Sequence, residues 1–194
     1  LKKDPKLNVQ TMETVYLFNI ELDFRDKANG AKAKDGSDLP KNPLADARVR
    51  QAISIGIDRQ ALGEVAMEGL GTPANQLVTP SIFGYNKSLP PIKYDPAAAR
   101  KLLAEAGYPN GFSIPFHFTQ DRLPGDSQVG ASIAQMLAGV GLDVKPVAQP
   151  ASVFFPARTR GDYSMAMSGW GTLTGEANYT LSSLLHSNDK DKKL

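Results

Sequence analysis

The spacing of apolar positions changes period several times along the chain, and each change marks an element. "TVYLFNI" (14–20) is a run of β-branched and aromatic residues that predicts a strand. From Asp46 the period becomes helical. Val49, Ala52, Ile53, Gly56 and Ile57 share one face, and the Asp46 side chain is placed to cap the first turn. Asp58 caps a second predicted helix with Leu62, Val65 and Ala66 inward, ended by Gly69 and Gly71. In "DPAAARKLLAEAGYPNGF" (95–112), Asp95 caps, Pro96 takes the first helical position, and Ala99, Leu102, Leu103 and Ala106 form the buried stripe before Gly107.

The next stretch sets the fold class. "SIPFHFTQ" (113–120) alternates Ile114, Phe116 and Phe118 on one face, and "DSQVGASIAQMLAGVG" (126–141) is a helix facing inward through Val129, Ile133, Leu137 and Val140. "LDVKPVAQ" (142–149) is again a strand, so the three form a βαβ unit with parallel strands. A short helix over "ASVFFPARTRGD" (151–162), disturbed at Pro156, and a strand over "YSMAMSGW" (163–170) follow. The predicted class is α/β, a mixed sheet with a βαβ unit and flanking helices.

Trp170, the chain's one tryptophan, therefore sits at the C-terminal end of a strand, entering the glycine-containing loop "GTLTGEANY". An indole carries a large apolar face and one N–H that needs a partner, which suits a ligand cleft and suits equally a core beside a turn. In open α/β sheets ligands bind beyond the carboxyl ends of the strands, which favours the cleft. The segment 23–43, charged and rich in Gly and Pro, offers little to bury and predicts a surface loop excursion that the fold can do without. Residues 79–94 read as a Pro-rich connector.

Composition mostly excludes. With 194 residues, 41% of them hydrophobic, the chain can bury a full core. A net charge of +2 projects no field that would gather nucleic acid, so none is expected as a partner. There is no run of about 18 apolar residues and no signal-peptide core in "LKKDPKLNVQ". Without cysteine there is no disulfide, thiolate metal site or cysteine nucleophile. The chain opens on Leu1 and closes on the charged "SNDKDKKL", which predicts a piece of a longer protein, truncated at both ends.

Catalytic patterns are missing. His117 and His186 have no second ligand at metal spacing and read as structural or surface residues, so neither metal nor cofactor is expected. "GLGTPA" (69–74) fits a loose nucleotide fingerprint but follows a helix instead of a strand, and Pro73 stands where a phosphate-binding helix would open. No enzymatic activity is expected.

Taken together, "NPLADARVRQAISIGIDRQAL" (42–62), "GLGTPA", "YDPAAARKLLAEAGYPNGF" (94–112), "GVGLDV" (139–144) and "GDYSMAMSGWG" (161–171) resemble, in this order and spacing, the extracellular solute-binding proteins of family 5. These are peptide, oligopeptide and nickel receptors of bacterial ABC importers. The resemblance implies the periplasmic-binding-protein class II fold. Residues 1–194 would form most of the second of two lobes that close on a small solute, possibly a peptide. It further implies a monomer that delivers its load to a membrane permease from the periplasm, or from the cell exterior as a lipid-anchored protein.

Carried over residue by residue, Trp170 falls on the family's cleft tryptophan. Arg158 falls on a cleft arginine, with Arg160 as the alternative in "ARTRG". Glu176, six residues after the tryptophan, matches another acidic position of the motif, usually one that shapes the loop, and with Gly171, Thr172, Asn178 and Tyr179 it completes the expected ligand-binding set. One position departs: peptide receptors carry an aspartate three residues after that tryptophan, where it meets the peptide ammonium, and this chain has Leu173. Asp46, Asp58 and Asp95 read as caps, and Arg48, Arg50 and Arg59 as structural. Two other function classes remain beside the receptor: an interaction or structural domain on the same fold, and an enzyme completed by residues elsewhere.

Overall fold

The computed structural model describes residues 12–186 together with Lys6, Asn8 and Gln10, so the charged run at 187–194 lies outside the described residues. Four strands form one mixed sheet: β1 (Tyr16–Leu22), β2 (Ser113–Thr119), β3 (Asp143–Gln149) and β4 (Met165–Gly171), in the order β1-β4-β2-β3. β2 runs parallel to both β3 and β4, and β1 is antiparallel to β4 with Leu17 opposite Trp170 and Glu21 opposite Ala166. The βαβ expectation therefore holds over β2, α4 (Asp126–Gly139) and β3.

The predicted caps act as caps. Asp46 accepts from the Arg48 N–H at the start of α1 (Ala47–Ile55), and Asp95 from the Ala98 N–H at the start of α3 (Pro96–Glu105). Asp58 accepts from the Ala61 N–H, but its helix α2 (Arg59–Ala61) passes at once into a π-helical turn, Leu62–Ala66. That wider turn rotates Val65 out to 77% exposure and puts Gly63 against the backbone of Gly71, contrary to the inward place the helical period gives Val65. α5 (Ala151–Thr159) runs unbroken through Pro156, because Ser152 and Pro156 both lie on its exposed side.

One sheet face carries Ile114, Phe116, Phe118 and Met167 and is covered by α4, where Gly130 meets the Phe118 ring, and by α1 and α3 behind it. Alternation puts His117, Ala166, Ser168 and Trp170 on the opposite face, under α5. There His117 stacks on Tyr163 at 3.9 Å between centroids, and Tyr163 packs on the buried Phe154.

The polar segment 23–43 is stitched to the body along its length. Lys32 exchanges two backbone hydrogen bonds with Ser113, extending the sheet for one residue, and the Asn29 N–H donates to Ser164 Oγ. Buried Asn42 donates from Nδ2 to the carbonyls of Asp23 and Arg25, and Ala31 is itself buried. Composition counts apolar atoms and misses this, since the segment binds chiefly through backbone and amide groups.

Candidate functional site

The C-terminal ends of β2, β3 and β4 lie along one edge of the sheet, where each strand passes into a helix or loop. The turn after β2 is built on one carboxylate. Asp126, buried at the start of α4, accepts from Thr119 Oγ1 at 2.8 Å, from the N–H groups of Arg122 and Leu123 at 3.2 Å each, and from the Ser127 N–H at 2.8 Å. Asp121 in the same turn accepts the Ala151 N–H and so ties down the first turn of α5. Residues 119–127 thus have their conformation set before any ligand arrives.

Arg122 is what this turn presents. Its guanidinium lies over the rings of Tyr16, 5.6 Å to the centroid, and Phe155, 4.9 Å, which come from opposite faces of the sheet. It donates to the Gly169 carbonyl at 3.4 Å and to the Tyr16 hydroxyl, continuing the β4 ladder past the end of β2. The side chain is exposed and, among the described residues, pairs with no carboxylate. An isolated arginine on an unremarkable strand turn gives no periodic signal, so sequence reasoning passed over it.

Trp170 is half-buried at the same edge. Its indole N–H donates to Thr180 Oγ1 at 3.0 Å, and its ring stacks on Tyr179, 5.5 Å between centroids at 23°. Both partners belong to α6 (Ala177–Leu184), which stands where a loop is expected after Trp170; Ala177, Thr180, Leu181 and Leu184 keep helical spacing. The connector 79–94 holds this helix in place. Phe83 pairs with Glu176, accepting from the Ala177 N–H at 2.8 Å, and Val78, Ile82, Tyr85 and Ala177 form a small core apart from the main one.

The glycines flanking Trp170 have an internal role. A Cβ at Gly169 would stand 2.6 Å from the Tyr16 ring and from Leu123, and one at Gly171 2.8 Å from the Tyr16 ring. On that face of the strand the space is filled by Tyr16, which lies flat across both residues. Gly171 is therefore where a neighbouring ring packs on the chain itself.

The remaining expected residues divide. Thr172 is buried and donates to the Glu176 carbonyl, closing the loop before α6. Asn178 turns away, exposed, and accepts from Ser182 on its own helix. Arg158 forms a bidentate pair with Glu21 at 2.5 and 2.6 Å, which raises its pKa further above the ordinary value. Glu21 stands opposite Ala166, four residues before Trp170, so the pair lies ~13 Å back along the strand on the same sheet face. It borders a shallow cavity of about 380 Å³ that also includes Arg25 and Tyr163. The structure brings together Trp170, Gly171, Thr172, Glu176 and Tyr179 and sets Arg158 apart; Arg160 pairs outward with Asp162. Arg48, Arg50 and Arg59 serve the carbonyls of Glu105, of Leu44 and Ala45, and of Ser54 and Ile57. Leu173 is 84% exposed.

Among the described residues no three His, Asp or Glu side chains gather at a metal-binding distance, and no helix is long and apolar enough to cross a membrane. The family model described as bacterial extracellular solute-binding proteins, family 5 Middle, matches residues 1–192. The chain belongs to this family. It is 37% identical over 154 residues to the glutathione-binding protein GsiB of Escherichia coli K12 and, equally, to that of Salmonella typhimurium, an alignment covering 77% of this chain and 30% of either relative.

Solved structures agree with the fold. The periplasmic binding protein DppA of Helicobacter pylori, in complex with the peptide STSA, superposes with a TM-score of 0.76 at 28% identity, over 93% of this chain and 32% of that one. HbpA2 of Haemophilus parasuis gives 0.74 at 27%, over 93% and 33%. The chain thus spans about a third of the length of the proteins it matches, and its fold is that of part of a class II periplasmic binding protein.

Proposed function

We propose that this chain is most of the second lobe of the solute-binding subunit of an ABC importer. In this reading it offers one wall of a cleft at the C-terminal strand edge, acting by binding without turnover. A small solute such as a peptide or glutathione is held there, and a membrane permease receives the loaded protein from the periplasm. Family membership supports the class of function, and the named relatives support the class of solute. The observation that carries the location is the pairing, at one rigid edge, of a half-buried tryptophan with an exposed guanidinium that no carboxylate neutralises. Two of the Arg122 N–H groups serve the Gly169 carbonyl and the Tyr16 hydroxyl, and those that remain suit a carboxylate.

The test uses the full-length gene product. Native mass spectrometry identifies the co-purifying solute, and calorimetry compares wild type with Trp170→Ala and Arg122→Gln. Each substitution is expected to weaken binding at least tenfold with the fold retained; wild-type affinity in both variants would refute the location.

A further inference from the structure

Strand β4 leaves two side-chain places empty on one face, and a single ring from β1 fills both. Tyr16 opens β1 opposite Gly171, and Phe18 stands opposite Gly169. A Cβ at Gly169 would come within 2.6 Å of the Tyr16 ring, and one at Gly171 within 2.8 Å. Glycine weakens a strand interior because it has no side chain to pack, so two of them on the same face mark a close approach. Here the approaching group is Tyr16. Its seat reaches the turn after β2 as well, since the same Cβ at Gly169 would meet Leu123 at 2.6 Å.

The seated ring carries the tip of Arg122. The guanidinium lies over it at 5.6 Å and Nη2 donates to the Tyr16 hydroxyl, so one residue makes two contacts with the same group. Nη1 donates to the Gly169 carbonyl at 3.4 Å, and Phe155 closes the other side at 4.9 Å. The base of the side chain is fixed too, because the Arg122 N–H donates to Asp126 at 3.2 Å. A surface arginine otherwise samples many rotamers, and ordering it only when a solute arrives weakens binding. A carboxylate partner would order it but neutralise it. The hydroxyl, the carbonyl and the two rings that hold Arg122 carry no formal charge, so they set its direction and leave its cation whole.

We infer that Tyr16 is a positioning residue for the proposed site: its ring and hydroxyl together hold the Arg122 guanidinium in the direction in which it meets a carboxylate of the solute. Gly169 and Gly171 serve the same end by seating the ring. This rests on the strand edge being the solute site.

Two measurements on the full-length gene product separate the two ideas. Nitrogen NMR with isotopically labelled arginine, the Arg122 signal assigned through Arg122→Gln, reads hindered rotation of the guanidinium with no solute present. Hindrance is expected in wild type, reduced in Tyr16→Phe, which keeps the ring, and lost in Tyr16→Leu. Calorimetry then compares trialanine and reduced glutathione with trialanine amide and glutathione diethyl ester. Wild type is expected to prefer at least one free-carboxylate probe by about tenfold or more. Tyr16→Leu loses that preference and Tyr16→Phe keeps part of it, while affinity for the amide and the ester stays as in wild type. Should Tyr16→Leu unfold, Tyr16→Phe alone must lower both the hindrance and the preference. Added to Arg122→Gln, either substitution should cost no further affinity, because nothing is left to position. A further loss in the double variant overturns the role, as does an Arg122 that turns as freely in wild type as in the Tyr16 variants, or a wild type that prefers neither carboxylate probe. If the Tyr16 variants free the guanidinium while Arg122→Gln binds every probe as wild type, Arg122 does not meet the solute, and the strand-edge reading fails together with the role.

Discussion

Trp170 combines two features that a sequence cannot separate: a ring partly packed on Tyr179 and a surface partly open to solvent, where the proposed site would hold its solute. Truncating a fully buried tryptophan costs roughly 3–5 kcal/mol of stability, whereas a hot-spot aromatic contact is worth on the order of 2 kcal/mol of binding. Trp170→Ala should accordingly cost less than full burial in a melting experiment and more than tenfold in affinity. Thr180 is wholly buried and is the partner of the indole N–H. Thr180→Val should cost about 1–3 kcal/mol, the penalty of an orphaned buried donor. Because Trp170 is the one tryptophan, its fluorescence emission reports the change directly. His117 gives a pH dependence. Burial lowers its pKa below the ordinary 6.5, with Gln149 opposing, so below pH 6.5 the unfolded chain takes up the proton first and stability falls as the medium is acidified. Denaturation midpoints at pH 7.5 and 5.5 should differ less in His117→Gln than in wild type.

Among the elements, the segment 23–43 sets composition against hydrogen bonding. Its polarity suggests a loop that could be cut away, but Asn42 bridges two carbonyls from a buried position, and Lys32 adds a rung to the sheet at Ser113. Asn42→Ala should cost about 1–3 kcal/mol, a fall in melting temperature of several degrees for a domain of this size. Replacing residues 26–40 by a short Gly/Ser link should cost more than that substitution. A melting temperature unchanged by the replacement would show that these bonds are matched by water in the shortened chain. Helix α6 presents the opposite case. The sequence carries its period, but the glycines and threonines before it obscure the start, and what sets its position is the hydrogen-bonded contact with Phe83, some ninety residues earlier. Elements fixed by contacts so distant in the chain leave no local signal.

At the scale of the whole molecule, the chain covers about a third of its relatives' length, and in the proposed reading it supplies one side of a cleft. Each ~1.4 kcal/mol of contact withheld lowers affinity tenfold. The 194-residue chain, with its own core and capped helices, is expected to melt cooperatively but to bind its solute at least a hundredfold more weakly than the full-length gene product. Calorimetry showing equal affinities would mean that the whole site lies on this lobe.

What the sequence determined by itself is what short-range chemistry dictates. The Asp46 and Asp95 caps, the inward stripe of α4 and the alternation of β2 each follow from the stereochemistry of a few neighbouring residues, as does the parallel pairing forced by a helix between two strands. Trp170 at a strand end was legible for the same reason. The tertiary structure alone decided that Arg122 would stand between Tyr16 and Phe155, that Arg158 would be taken up by Glu21, and that Tyr16 would occupy the space of the two glycines beside Trp170. Each of these depends on residues more than a hundred positions apart or on opposite faces of one sheet. No local period records such encounters, because it is chain topology that brings the partners into contact.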